Sequence, residues 1–165
     1  MSYLEAGCRC LLALVFAVAA GSKLRDPAGF AASVAALAPF RVPGPVIVAA
    51  EVATALALLF RATARAGYLL AIVLLGAFTA AVVRAYRRGT RARCGCFGSG
   101  SVAGPRHVVR NGILAGIALA GLLASDTGSA VRPGGAAVAI AAGLLGGALL
   151  IVSDDLIELF AWGNP

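Results

Sequence analysis

The chain has 165 residues, of which 61% are hydrophobic and 13% charged, and its 14 Lys and Arg against 7 Asp and Glu give a formal net charge of +7. Soluble domains average about 45–50% apolar and about 25% charged residues, so this composition excludes an ordinary water-soluble domain and points to a membrane. The basic balance does not imply nucleic acid, because no soluble basic domain is there to carry it; the cations stand beside apolar blocks, where they orient spans and touch anionic lipid.

Five apolar blocks follow one another, and a hydrocarbon core of about 30 Å takes about 20 helical residues to cross. The first block, Cys10 to Ser22, lies between Arg9 and Lys23 and is long enough only if those two side chains snorkel to the headgroups. It also admits a signal-peptide reading, with Leu11 to Ala20 as the apolar region and Ala17-Val18-Ala19 as the cleavage site. Against that stand Glu5 ahead of it and the edge cluster Lys23, Arg25 and Asp26 behind it. Asp26-Pro27 then opens a short helix over Ala28 to Ala38, with Asp as N-cap, Pro in the first turn and Pro39 as the stop. Too short to cross, this helix is expected to lie at the interface or tuck between spans.

The second block, Val42 to Phe60, spans comfortably and is joined through the linker Arg61 to Arg65 to the third, Ala66 to Val83, as an antiparallel hairpin. A long loop, Arg84 to His107, with a Gly98-Ser99-Gly100-Ser101 tip, precedes the fourth block, Asn111 to Ser125. That block gains length through Val108 and Val109 if Arg110 snorkels or finds a partner. The fifth block is Pro133 to Ser153, followed by a tail with Asp154, Asp155, Glu158 and Trp162. The fold class is therefore all-α, a polytopic transmembrane helical bundle: residues 1–125 form a four-helix membrane domain and residues 126–165 add a C-terminal span and a short tail. Gly112 with Gly116 and Gly143 with Gly147 carry the GxxxG spacing that lets helix backbones approach in lipid, which supports a tight bundle.

The residues suited to chemistry are few. Cys94 and Cys96, flanking Gly95 in the most basic loop, form a close thiol pair beside Arg91 and Arg93, whose charges favour the reactive thiolate. A disulfide across one residue closes a small strained ring that glycine eases, and strained disulfides exchange readily, so this is a candidate thiol-disulfide exchange site. Two other readings stand beside it. One is an inert pair; the other is a metal site with His107, although zinc ligands usually follow CxxC rather than CxC spacing and the fourth ligand would have to be Cys8 or Cys10. Cys8-Arg9-Cys10 repeats the CxC spacing at the mouth of span one, either as a second redox pair or as two interfacial cysteines without a special role. Glu51 sits at the middle of the second block, where a charge costs about 2.5–3.5 kcal/mol on insertion scales, so it is expected to be neutral, paired or facing a wet cavity. Its reachable partners are Arg110, Asn111, His107 and Lys23, and both a functional role and a purely structural hydrogen bond remain open.

With five spans, the side holding the cysteine loop carries ten Lys and Arg residues against four on the other, which by the positive-inside rule places that loop in the cytoplasm. A disulfide there would meet a reducing pool, whereas one made for exported proteins must face outward.

Gly21-Ser22-Lys23-Leu24 at the end of span one, Glu51 in span two, Cys94-Gly95-Cys96-Phe97-Gly98 after span three and Arg110-Asn111 at span four together resemble the methylamine-utilisation MauE family, within the broader DoxX-like group of small four-helix membrane proteins. The resemblance covers about residues 8–125. It implies a multi-pass plasma-membrane accessory protein that supports maturation of a disulfide-rich methylamine dehydrogenase subunit, with a thioredoxin-like redox partner and an exported client. In that reading Cys94, Cys96 and Glu51 carry any thiol-disulfide oxidoreductase chemistry, and Lys23, Arg110 and Asn111 are the matching polar positions for a bound cofactor. A quinone is the acceptor suggested by analogy with membrane thiol oxidoreductases of bundle architecture; no metal is implied. The fifth span and the Arg-rich approach to the cysteines depart from the family pattern. The alternative function is a non-redox membrane scaffold or a small-molecule transporter centred on Glu51.

Overall fold

A computed structural model describes residues 2–37, 43–88, 105–125 and 133–161, with side chains for all of these except Ala36, Leu37 and the residues after Ser153. Regular structure among these residues is helical: α1 (Tyr3–Arg25), α2 (Pro27–Leu37), α3 (Gly44–Leu59), α4 (Ala64–Arg87), α5 (Pro105–Ala124) and α6 (Pro133–Ala161). Cys94 and Cys96, the Gly98 to Ser101 tip, Pro39 and the side chains of the acidic tail lie outside the described residues.

The helix ends follow from local chemistry. Ser2 caps α1 by accepting a hydrogen bond from the Glu5 backbone N–H at 3.1 Å, and Lys23 and Arg25 complement the carbonyl end of its dipole. Asp26 ends α1 and starts α2, because its backbone N–H donates to the Ser22 carbonyl at 3.3 Å while its carboxylate accepts from the Gly29 N–H at 2.9 Å. The expected Asp26 cap is therefore present. Between α3 and α4 the chain turns at Phe60–Thr63, with the Thr63 hydroxyl donating to the Ala57 carbonyl at 2.8 Å. This turn shortens α3 to 16 residues, about 24 Å at 1.5 Å per residue, so the block read as a comfortable span is the shortest of the five. The four other long helices have the length and apolar character to cross a bilayer.

Four helices close a ring, α1 beside α3 and α5, and α4 beside α3 and α5. Contacts fix their directions. Arg9 near the start of α1 meets Leu58 and Leu59 at the end of α3, and Tyr68 near the start of α4 meets Gly121 near the end of α5, so each of these pairs is antiparallel. Leu12, Leu58, Tyr68, Ala71, Leu114 and Ala118 fill the middle of the ring. The four-helix core expected from the sequence is this ring, and the fifth span is α6.

α6 packs on the outside of α1 and runs parallel to it: Gly135 lies against Tyr3, Ala139 and Gly143 against Gly7, and Gly147 against Leu11. Small residues four apart on α6 let the two backbones touch, and a Cβ at Gly143 would collide with the Gly7 carbonyl. The second GxxxG is not used this way. Gly112 and Gly116 face outward on α5 with open space around them, because the packed side of that helix is the one bearing Leu114, Ala118 and Gly121. Of the two glycine motifs, only Gly143 with Gly147 builds the bundle.

Candidate functional site: a buried charged centre

Lys23 and Glu51 form an ion pair of 2.7 Å, with side-chain exposures of 0% and 1%. The sequence reading has Lys23 snorkelling outward so that a short first block can span, but α1 extends over 23 residues and needs no such help. Side chains on a helix lean toward its N-terminus, so a lysine near the C-terminal end of α1 points back into the bundle, where Glu51 on α3 awaits it. Among the four partners the sequence allowed for Glu51, the fold selects Lys23. The ammonium also accepts containment from two rings, Phe30 of α2 at 5.3 Å and Phe78 of α4 at 5.6 Å from ring centroid to Nζ. Phe30 is the residue that α2, otherwise largely exposed, buries as it lies against α1, α3 and α4. The short helix thus tucks onto the bundle and closes the charged centre at that end.

Glu51 uses Oε1 for Lys23, while Oε2 has no hydrogen-bond partner among the described residues. Glu51 lines a cavity of about 20 Å³ with Phe16, Ala19, Phe78 and Asn111, a volume that suits about one water. Asn111 therefore shares the inner site. Arg110, one residue earlier and about 100° around α5, does not: it lines a separate cleft with Arg106, Leu150 and Ser153. The two residues that the sequence offers as one motif serve different places. Thr54, fully buried one turn from Glu51, belongs to the same inner face and donates to the Ala50 carbonyl at 2.8 Å. Nothing in its sequence surroundings singles it out, since an intrahelical hydroxyl bond is common in apolar helices.

A second polar cluster occupies the opposite end of the bundle. Arg9, like Lys23, is expected to snorkel, yet it is 8% exposed and turns inward. Its Nε donates to the Leu58 carbonyl and its Nη2 to the Leu59 carbonyl, both at 2.8 Å, with Glu5 at 3.7 Å from Nη1. The reason is the short α3. Its last carbonyls end inside the apolar region, where each unsatisfied group is costly, and a planar guanidinium can satisfy two at once. Tyr68 adds a hydroxyl donating to the Glu5 carbonyl at 3.1 Å.

Cys8 and Cys10 are free thiols on α1. Two residues apart on a helix they point about 200° away from each other: Cys8 is buried in the core, and Cys10 lines an outward groove. They cannot pair without unwinding α1. They also lie at the end of the bundle remote from His107, which starts α5, so they cannot complete a metal site with it.

The chain in this form is a multi-pass helical membrane protein with a charged pair held inside its ring. No curated protein and no solved structure matches it. A protein-family model described as methylamine utilisation protein MauE matches residues 1–124, which take in the ring of α1, α3, α4 and α5 together with α2 and leave out α6. The chain belongs to the MauE family of methylamine utilisation proteins.

Proposed function

We propose that this protein is a plasma-membrane accessory factor in methylamine utilisation that exchanges thiols and disulfides through Cys94 and Cys96 on behalf of an exported client. In the forward exchange a client thiolate attacks one sulfur of the Cys94–Cys96 disulfide and releases the other as thiolate. A second client thiolate then resolves the mixed disulfide, leaving the client oxidised and both cysteines as thiols. The two electrons leave to the disulfide of a thioredoxin-like partner or to a membrane quinone.

The observation that carries a functional centre in the bundle is the Lys23–Glu51 pair. It is flanked by aromatic rings and has one carboxylate oxygen without a hydrogen-bond partner among the described residues, in the cavity that Asn111 also lines. Intramembrane ionisable pairs of this kind mark proton or substrate handling, and dithiol oxidation releases protons that a nearby carboxylate can accept. Lys23 and Asn111 position and polarise Glu51 in this reading. The end of α4 and the start of α5 lie at the end of the bundle where Lys23 lies, which supports linking the segment between them to this centre.

The test is replacement of both Cys94 and Cys96 by Ser in a host growing on methylamine. Loss of growth with unchanged membrane abundance, accompanied by loss of disulfides in the client, supports exchange. A second reading, a non-redox scaffold centred on Glu51, is favoured by Glu51 being held by Lys23 beside a void no larger than about one water. It predicts retained growth in the same double variant.

A further inference from the structure

All four ring helices contribute a wall to the small space beside the charged pair. Phe16 and Ala19 come from α1, Leu75 and Phe78 from α4, Glu51 from α3 and Asn111 from α5. α3 and α5 stand across the diagonal of the ring, so the two polar side chains that line this space, a carboxylate and a carboxamide, reach it from opposite sides. Lys23 holds Oε1 but is not part of the lining, which leaves Oε2 as the carboxylate atom that meets the space. Oε2 has no hydrogen-bond partner among the described residues, and at 1% side-chain exposure Glu51 has no access to bulk water. A buried ion pair is tolerable when its remaining lone pairs are satisfied as well, so this oxygen calls for a donor.

We infer that this space is a binding site for a single water molecule, which donates to Glu51 Oε2 and is held from the far side of the ring by the Asn111 carboxamide. Size, charge and hydrogen bonding each select that occupant. The cavity of about 20 Å³ exceeds the about 10–15 Å³ that a water needs and is far too small for a quinone ring. Lys23 and Glu51 already cancel in charge, so the occupant is neutral; a second cation would lie beside the ammonium in apolar surroundings. Oε2 requires a donor and the carboxamide offers both a donor and an acceptor, which gives the water two polar partners, the fewest that retain one in a protein interior. Asn111 is thereby a positioning residue that acts on Glu51 through the water. One consequence rests on the reading of Glu51 as a proton acceptor. There the water hands on a proton: one passes from it to Oε2 as another, released by dithiol oxidation, reaches it, and the water ends unchanged. The binding site itself is independent of Cys94 and Cys96.

The chain holds three glutamates, Glu5, Glu51 and Glu158, so the full chain labelled with carbon-13 glutamate and reconstituted in liposomes gives few side-chain carboxyl signals, and Glu51→Gln identifies the one from Glu51. Solid-state spectra are recorded with magnetisation passed from water protons to carbon. The Glu51 carboxyl should receive it at short mixing times despite its burial. Asn111→Leu removes the second polar partner and should abolish the transfer. Ala19→Val, which fills the space from α1 and leaves both polar groups in place, should abolish it too and serves if Asn111→Leu fails to fold. The same transfer should be present when Cys94 and Cys96 are both replaced by Ser, so the water site and the exchange reading fail separately. Absence of transfer in the parent chain overturns the inference. So does transfer that persists in either folded variant, which would run through the exchangeable protons of the Lys23 ammonium. A Glu51 carboxyl shift that follows the sodium chloride concentration assigns the space to a cation and overturns the water as occupant.

Discussion

Replacing Lys23 with Met leaves the Glu51 carboxylate buried at 1% exposure without its cation. At 2.7 Å the charges sit in direct contact, an attraction of about 6 kcal/mol at an effective dielectric of about 20. Desolvating the two ions costs several kcal/mol each, so the pair contributes little net stability while its disruption is expensive. Lys23→Met and Glu51→Leu should each destabilise the protein by about 3–5 kcal/mol, whereas the double variant, which removes both charges, should return to within about 1 kcal/mol of the parent or exceed it. Glu51→Gln should fall between, because it keeps a hydrogen bond to Lys23 but strands the ammonium. The assay is thermal challenge in mild detergent, followed by the fraction that still elutes as a monodisperse peak. Growth on methylamine is scored alongside. A stable double variant that fails to support growth assigns the pair a chemical role, and one that grows assigns it a structural one. If Lys23→Met costs less than about 1 kcal/mol, as for an exposed ion pair, or if the double variant is as unstable as either single one, the buried-pair argument is wrong.

Other outcomes follow from the same geometry. Arg9→Met should destabilise by about 2–5 kcal/mol, because the Leu58 and Leu59 carbonyls each lose a donor, and Arg9→Lys should rescue only part of it, since an ammonium lacks the planar fork; thermal challenge of both variants decides. Gly143→Leu should pry α6 from α1 by collision with the Gly7 carbonyl at a cost of about 1–3 kcal/mol, read as faster proteolysis after Ser125. Gly116→Ala, in open space on the same kind of motif, should be neutral or stabilise by about 0.5–1 kcal/mol. Cys8 and Cys10 should remain two free thiols after mild oxidation of folded protein, measured by intact mass after alkylation; a Cys8–Cys10 disulfide would show that α1 unwinds there.

The sequence was legible wherever the bilayer's demand on the backbone decides the structure. Every peptide group in hydrocarbon must be bonded internally, so apolar blocks become helices, and their number, order and approximate limits can be read from composition alone. Asp26-Pro27 announced the short helix for the same local reason that it caps it. The membrane centre was legible too, because a carboxylate at Glu51 cannot sit in hydrocarbon without a reason.

What the blocks could not convey is which face of each helix meets protein and which meets lipid, since lipid tails are as apolar as Leu and hydrophobicity does not distinguish the two. Only the packed ring decided that Lys23 pairs with Glu51, that Arg9 caps α3 instead of snorkelling, and that Arg110 and Asn111 face different spaces. It likewise decided that one GxxxG is an interface while the other looks outward. Sequence by itself determined a multi-pass helical membrane protein with a costly charge inside it. Tertiary structure determined how that charge is held, because a buried ion is satisfied by the neighbour that the fold brings within hydrogen-bond distance, not by the nearest in sequence.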